Sequence, residues 1–159
     1  MFGFPARLDC LDAPHYKRGM NPLRLVLAIF AGFIFIAASD MLIHGLWLGP
    51  VYKATHELWR TEEQMNARLG WMFGGQFLIA VTFVTLWAVG FAGNAKLTCA
   101  LKFGLFMGLF NQSQTMIGYV VTPMPGSLAA KWFCTGIAQA VLLGIVTHLV
   151  YKPKAAAAA

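Results

Sequence analysis

Charge is what this sequence has least of. Asp, Glu, Lys and Arg together make up 11% of its 159 residues, against roughly 25% in a soluble domain. That shortage excludes an ordinary water-soluble enzyme or binding module. Cysteine is scarce too: Cys10, Cys99 and Cys134 show neither a CxxC nor any other metal-ligand spacing. They read as small apolar fillers, and no disulfide is expected, because Cys134 falls near the opposite membrane face from the other two. Catalytic signatures are missing as well. His56-Glu57 is not followed by the second histidine of a metalloprotease helix, and there is no nucleophile elbow, P-loop or dinucleotide glycine motif. A haem would need a mate for His148 at matching depth, which neither His15 nor His44 supplies. No catalytic residue, metal set or cofactor is therefore expected.

Apolar sequence is abundant. Hydrophobic residues reach 58% and the mean hydropathy is +0.64. Four stretches, Leu23–Leu48, Trp71–Gly93, Thr98–Val121 and Leu128–Tyr151, are long enough to cross a hydrocarbon core, which takes ~20 apolar residues. The expected fold is an all-α integral membrane protein, a four-helix transmembrane bundle over residues 23–151. An N-terminal segment (1–22) and a short tail (152–159) flank it, and the low-complexity Ala155–Ala159 is expected to be no part of the fold. Phe35-Ile-Ala-Ala-Ser39 resembles a signal cleavage site, but the apolar run continues through Leu46-Trp-Leu, so a retained first span is expected.

The connections are Pro50–Gly70, Gly93–Leu97 and the turn Thr122-Pro-Met-Pro-Gly-Ser127, where Ser127 is the expected N-cap of the fourth helix. In the long first connection, Thr61-Glu-Glu-Gln64 has capping-box spacing. It predicts a short amphipathic helix on the outer side that runs on into the second span. Tyr52 to Glu63 mixes charges with aromatic residues, as a docking surface for a partner protein or, the favoured reading, a lid in the headgroups would.

Of the twelve Lys and Arg residues, Arg7, Lys17, Arg18, Arg24, Lys96, Lys102, Lys152 and Lys154 lie on the side of the termini. Lys53, Arg60, Arg68 and Lys131 lie on the other. The positive-inside rule then puts both termini in the cytoplasm. Trp47, Tyr52, Trp71, Tyr119 and Trp132 fall where an outer aromatic belt belongs, and Tyr16, Trp87 and Tyr151 where the inner one does. The net charge of +6 forms no stripe, so no nucleic-acid partner is expected.

An offset of 73 residues lays Gly45-Leu-Trp-Leu-Gly-Pro50 over Gly118-Tyr-Val-Val-Thr-Pro123, and Ser39-Asp40 over Gln112-Ser113. Such a repeat would make the bundle a duplicated two-helix hairpin.

Polar residues inside the spans are the candidate site. Asp40 and His44, four apart, would share one face of an α-helix. Counting 1.5 Å per residue places Asp40, Gln76, Ser113 and Gln139 all about 9–14 Å below the outer end. With Asn111, Gln112 and Gln114 around the third helix, every span contributes to one polar layer. The layer is either a set of interhelical hydrogen bonds or a pocket for an ion or solute. Small-xxx-small spacing at Ala100, Gly104 and Gly108, at Gly136, Ala140 and Gly144, and at Ala28 and Gly32 marks close helix contacts, within the chain or with another subunit.

Ile43-His-Gly-Leu-Trp-Leu-Gly-Pro-Val-Tyr-Lys53, Leu58-Trp-Arg-Thr-Glu-Glu-Gln-Met65, Trp71-Met-Phe-Gly-Gly-Gln76, Pro123-Met-Pro-Gly-Ser127 and Trp132-Phe133 together resemble a group of small uncharacterised bacterial four-span membrane proteins, over residues 25–152. The resemblance implies the bacterial inner membrane and a four-helix layout, and carries no activity. Three functions fit these residues. The first is a non-enzymatic accessory or scaffolding subunit that meets lipid and other membrane subunits, or itself, through small-residue helix faces. The second is a small-molecule or ion transporter with a polar pocket in the outer half. The third is a membrane enzyme or cofactor binder using Asp40 and His44.

Overall fold

A computed structural model describes residues 19–91 and 96–154. Every regular element among these residues is helical, with no strand. Helix α1 (Pro22–Asp40) starts on Asn21, whose side-chain oxygen accepts from the Arg24 amide at 3.2 Å, with Pro22 in the first turn. At Met41 the helix widens into a π-helical segment, Met41–Trp47, closed by a Leu48 N–H to Ile43 C=O bond of 2.8 Å.

Two short helices follow, α2 (Gly49–Ala54) and α3 (Glu62–Asn66), joined through a 3₁₀ turn at His56–Leu58. The long helices α4 (Leu69–Gly90), α5 (Leu97–Val121) and α6 (Gly126–Val150) complete the chain.

Among the described residues three helical stretches are long and apolar enough to cross a membrane: Pro22–Trp47, Leu69–Gly90 and Gly126–Val150. The third expected span, α5, equals α6 in length at 25 residues but carries Lys102 and the polar run 111–115, and is not among them. Large apolar side chains point outward from all four long helices, as with Ile34, Trp71, Phe110 and Leu149. Water would not tolerate so much exposed apolar surface, whereas lipid does.

The helices run alternately up and down. Asp40 near the end of α1 meets Gln76 near the start of α4. The amide of Lys154 donates to the carbonyl of Gly19 at 3.2 Å, so both described ends meet at one end of the molecule, the terminal end. Helices α2 and α3 cover the other, distal end.

The tightest packing joins α5 to α6. A Cβ on Gly104 would lie 2.6 Å from the Ala140 carbonyl oxygen, and one on Gly144 would lie 2.6 Å from that of Ala100. Only glycine lets the two backbones touch in this way. Gly108 meets Ile137 of α6, and Gly136 leaves room for the Gln112 side chain. On α1, Gly32 meets Leu143, Val84 and Ala80. The small residues singled out by spacing thus meet partners within the chain.

α4 and α5 approach differently. They meet near the terminal end through Phe83, Trp87, Phe91 and Phe103, with ring centroids 4.8–5.9 Å apart. Trp87 and Tyr151 are 0% and 2% exposed, so they are core residues rather than an inner aromatic belt.

Four local expectations are corrected. The helix begun at Thr61 does not run into the next span. Thr61 caps α3 by accepting from the Gln64 amide, but the chain turns at Ala67–Arg68, where Arg68 leaves helical geometry and donates to the Gln64 carbonyl at 2.7 Å. Helix α6 starts at Gly126, one residue before Ser127, with Pro125 in the cap position. Cys99 is disulfide-bonded, where an unpaired filler was expected, and its partner lies outside the described residues. Cys99 sits at the terminal end; Cys134 is free. The π-helical segment has no counterpart in α5, which stays α-helical to Val121, so the two hairpins are not copies in this region. The expectations for Arg7, Cys10, His15, Tyr16, Lys17, Arg18 and the 155–159 tail lie outside the described residues.

Candidate functional site

Asp40 is the hub of the polar layer. Its Oδ2 accepts from Gln76 Nε2 of α4 at 2.7 Å, and its Oδ1 from Gln139 Nε2 of α6 at 2.7 Å. Gln139 gives its other amide hydrogen to Ser39 Oγ at 2.7 Å, while Ser39 donates to the Phe35 carbonyl one turn back. One carboxylate therefore ties α1, α4 and α6 together. Among the described residues no ion pair includes it.

A cleft of about 330 Å³ opens beside Asp40 and is lined by all four long helices. Ile36, Ile79, Phe83, Phe110 and Leu143 make its apolar wall, while Asp40, Gln139, Asn111 and Thr82 supply polar groups. The aromatic contacts of Phe83, Trp87, Phe91 and Phe103 lie on the terminal side of this cleft.

Toward the distal end lies a smaller cavity of about 180 Å³, lined by Gln112, Thr115, Thr135 and Ile43. It shares Gly136 and Gln139 with the cleft, and His44 and Trp132 with a third cavity. That third one, about 530 Å³, is a cup under α2 and α3 walled by Tyr52, Trp59 and Trp132, with Lys53, Arg60 and Glu62 around it. The three cavities form a series from the distal surface to Asp40.

His44 belongs to the cup. Instead of bonding to Asp40, its Nδ1 lies 2.6 Å from the Tyr52 hydroxyl, which accepts from Trp132 Nε1 at 2.8 Å. Trp132 can only donate, so the Tyr52 oxygen accepts from it, and the imidazole tautomer sets which of Tyr52 and His44 donates in their shared bond. Burial raises the Tyr52 phenol above its ordinary value, more than the Trp132 hydrogen bond lowers it, with the charge of Asp40 adding a smaller rise. The hydroxyl thus keeps its proton. The four-residue rule that paired Asp40 with His44 holds for an α-helix, and the π-helical segment breaks it by turning His44 toward Tyr52 and Trp132.

Of the other expected layer residues, Asn111 lines the cleft and Gln112 the middle cavity, where Gln112 Oε1 accepts from Thr115 Oγ1 at 2.6 Å. Ser113 and Gln114 are exposed, and Ser113 donates to its own helix at Phe110. They do not join the cluster. His148 stands edge-on to Trp87 at 6.1 Å.

Sequence reasoning missed the cup, whose central bond joins residues 80 apart. The one available signal was the density of Tyr and Trp in the first connection. Among the described residues no group of three or more His, Cys, Asp or Glu could hold a metal ion. Comparison with family models, curated proteins and solved structures finds no match to this chain.

Proposed function

We propose that this is a four-span membrane carrier that takes a small polar or charged solute from its distal face to a site at Asp40. The observation that carries the reading is the series of three adjoining cavities ending at a carboxylate with no counter-ion among the described residues. Ionisable groups inside a membrane are costly and mark solute or proton pathways. The aromatic closure around Trp87 and Phe103 fits a carrier open to one side.

The fourth span is α5. It packs backbone to backbone along α6, so a bilayer crossed by α6 is crossed by α5 too. Lys102, close to its terminal end, can extend its amine to the headgroups. The excess of Lys and Arg at that end supports cytoplasmic termini in a bacterial inner membrane.

The test is accessibility from the distal face. In a background lacking native cysteines, Thr135→Cys and Gln112→Cys should react with a membrane-impermeant thiol reagent added outside. Ile145→Cys, further along α6, should not. Protection of both path positions would remove the carrier reading.

The accessory-subunit reading has one specific support. Gly70 and Gly74 of α4 form a small-xxx-small pair with nothing within 4 Å, a helix face that no described residue fills. A stable hetero-complex in mild detergent, lost in Gly74→Leu, would favour it.

A further inference from the structure

We infer that the solute held at Asp40 is a monovalent inorganic cation, gripped between the Asp40 carboxylate and the side-chain carbonyl oxygen of Gln76. The inference rests on the carrier reading above and names its substrate class.

The first ground is charge. Asp40 is the one acidic residue within the long helices, and its oxygens accept from neutral amides only. Hydrogen bonds ease the burial of a carboxylate but do not cancel its charge, and no lysine, arginine or histidine pairs with it among the described residues. A mobile cation would balance that charge.

The second ground is an orphaned atom. Gln76 is 7% exposed, and its Oε1 is fully buried with no hydrogen-bond partner. The same amide donates through Nε2 to Asp40 Oδ2 at 2.7 Å. Bond lengths keep Oε1 within about 2.6 Å of Nε2, and so within about 5.3 Å of Oδ2. Two oxygens that share one hard cation at ~2.3–2.6 Å are at most about 5 Å apart, so a small adjustment brings both to the ion. Turning the Gln76 amide over does not help, because whichever end faces Asp40 leaves the other unpaired. A proton on Asp40 meets the same limit. A cation between the two oxygens satisfies both.

The chemistry of the donors sets the class. Carboxylate, amide carbonyl and the nearby Ser39 hydroxyl are hard oxygen ligands, with no thiolate, imidazole or second carboxylate among them. One negative charge matches a monovalent ion, whereas a divalent ion would leave a net positive charge in the membrane.

The experiment measures thermal unfolding of the purified full chain in lipid nanodiscs, in the chlorides of sodium, potassium and lithium, with N-methyl-D-glucamine chloride as reference at equal ionic strength. At least one inorganic cation should raise Tm saturably. Asp40→Asn should abolish the rise, and Gln76→Met, which removes the carbonyl but keeps the length, should weaken the apparent affinity at least tenfold. If Asp40→Asn does not fold, Gln76→Met alone carries the test. Equal Tm in all four salts overturns the inference, as does a rise that survives both substitutions. Labelling at Thr135→Cys separates the two ideas. Labelling without a salt effect leaves a carrier for some other solute, while absence of labelling there and at Gln112→Cys removes the carrier itself.

Discussion

Thr147 is fully buried in α6, and its hydroxyl has no hydrogen-bond partner among the described residues. A buried unsatisfied hydroxyl costs about 1–3 kcal/mol. Thr147→Val should therefore raise Tm in detergent, while Thr147→Ser, which keeps the hydroxyl, should not; a fall with valine would mean that the hydroxyl has a partner. At Tyr52 the raised pKa gives a pH dependence of known sign. The folded value lies above the ordinary 10.0, so the contribution is fully present below pH 10 and is lost as pH rises through the folded value. The difference between ultraviolet titrations of the parent and Tyr52→Phe should show a phenol ionising above 10. The same substitution removes one hydrogen bond to Trp132 and one to His44. Tyr52→Phe and Trp132→Phe should thus be non-additive in stability by about 0.5–3 kcal/mol, where additivity would deny the bond.

Among the elements, the α5–α6 contact depends most on single residues. A methyl at Gly104 would press on the backbone of Ala140 and Val141, which cannot move without parting the helices. A methyl at Gly32 would meet the end of Leu143 at 3.3 Å, a side chain that can shift. Gly104→Ala should cost about 1–3 kcal/mol or more through overpacking, and Gly32→Ala clearly less. Equal effects on thermal stability would mean that α5 and α6 are not in backbone contact. The π-helical segment is the other decisive element. It separates His44 from Asp40 and gives each its own partners, so the polar layer serves α4 and α6 while the histidine serves the cup.

For the molecule as a whole, two observations bear on orientation. The distribution of Lys and Arg puts the terminal end in the cytoplasm. The disulfide at Cys99 lies at that same end, and cytosolic thiols are ordinarily kept reduced. Those two observations pull in opposite directions, and labelling decides between them. In a cysteine-free background, Lys53→Cys should react with an impermeant reagent in intact spheroplasts and Lys96→Cys should not. The reverse pattern would invert the protein and account for the bond at Cys99.

Helices and depths were legible in the sequence because each depends on distance along one chain. Apolar runs of span length predict long helices, and 1.5 Å per residue places Asp40, Gln76 and Gln139 at one level whatever their neighbours. Azimuth was not legible. A helix with polar residues at Asn111, Gln112, Ser113 and Gln114 must turn some of them away, and packing against α6 at Gly104 and Gly108 decides which. That packing brings Asn111 and Gln112 to the cavities and leaves Ser113 and Gln114 outside. Local pattern misled at His44, because the i, i+4 rule assumes α-helical turns and the chain widens to π there. The cup depended on contacts between Tyr52 and Trp132, 80 residues apart, which no local spacing encodes. Composition and period determined that this chain makes long apolar helices with a polar layer at one depth; only the rotation and approach of those helices decided that the layer closes on Asp40.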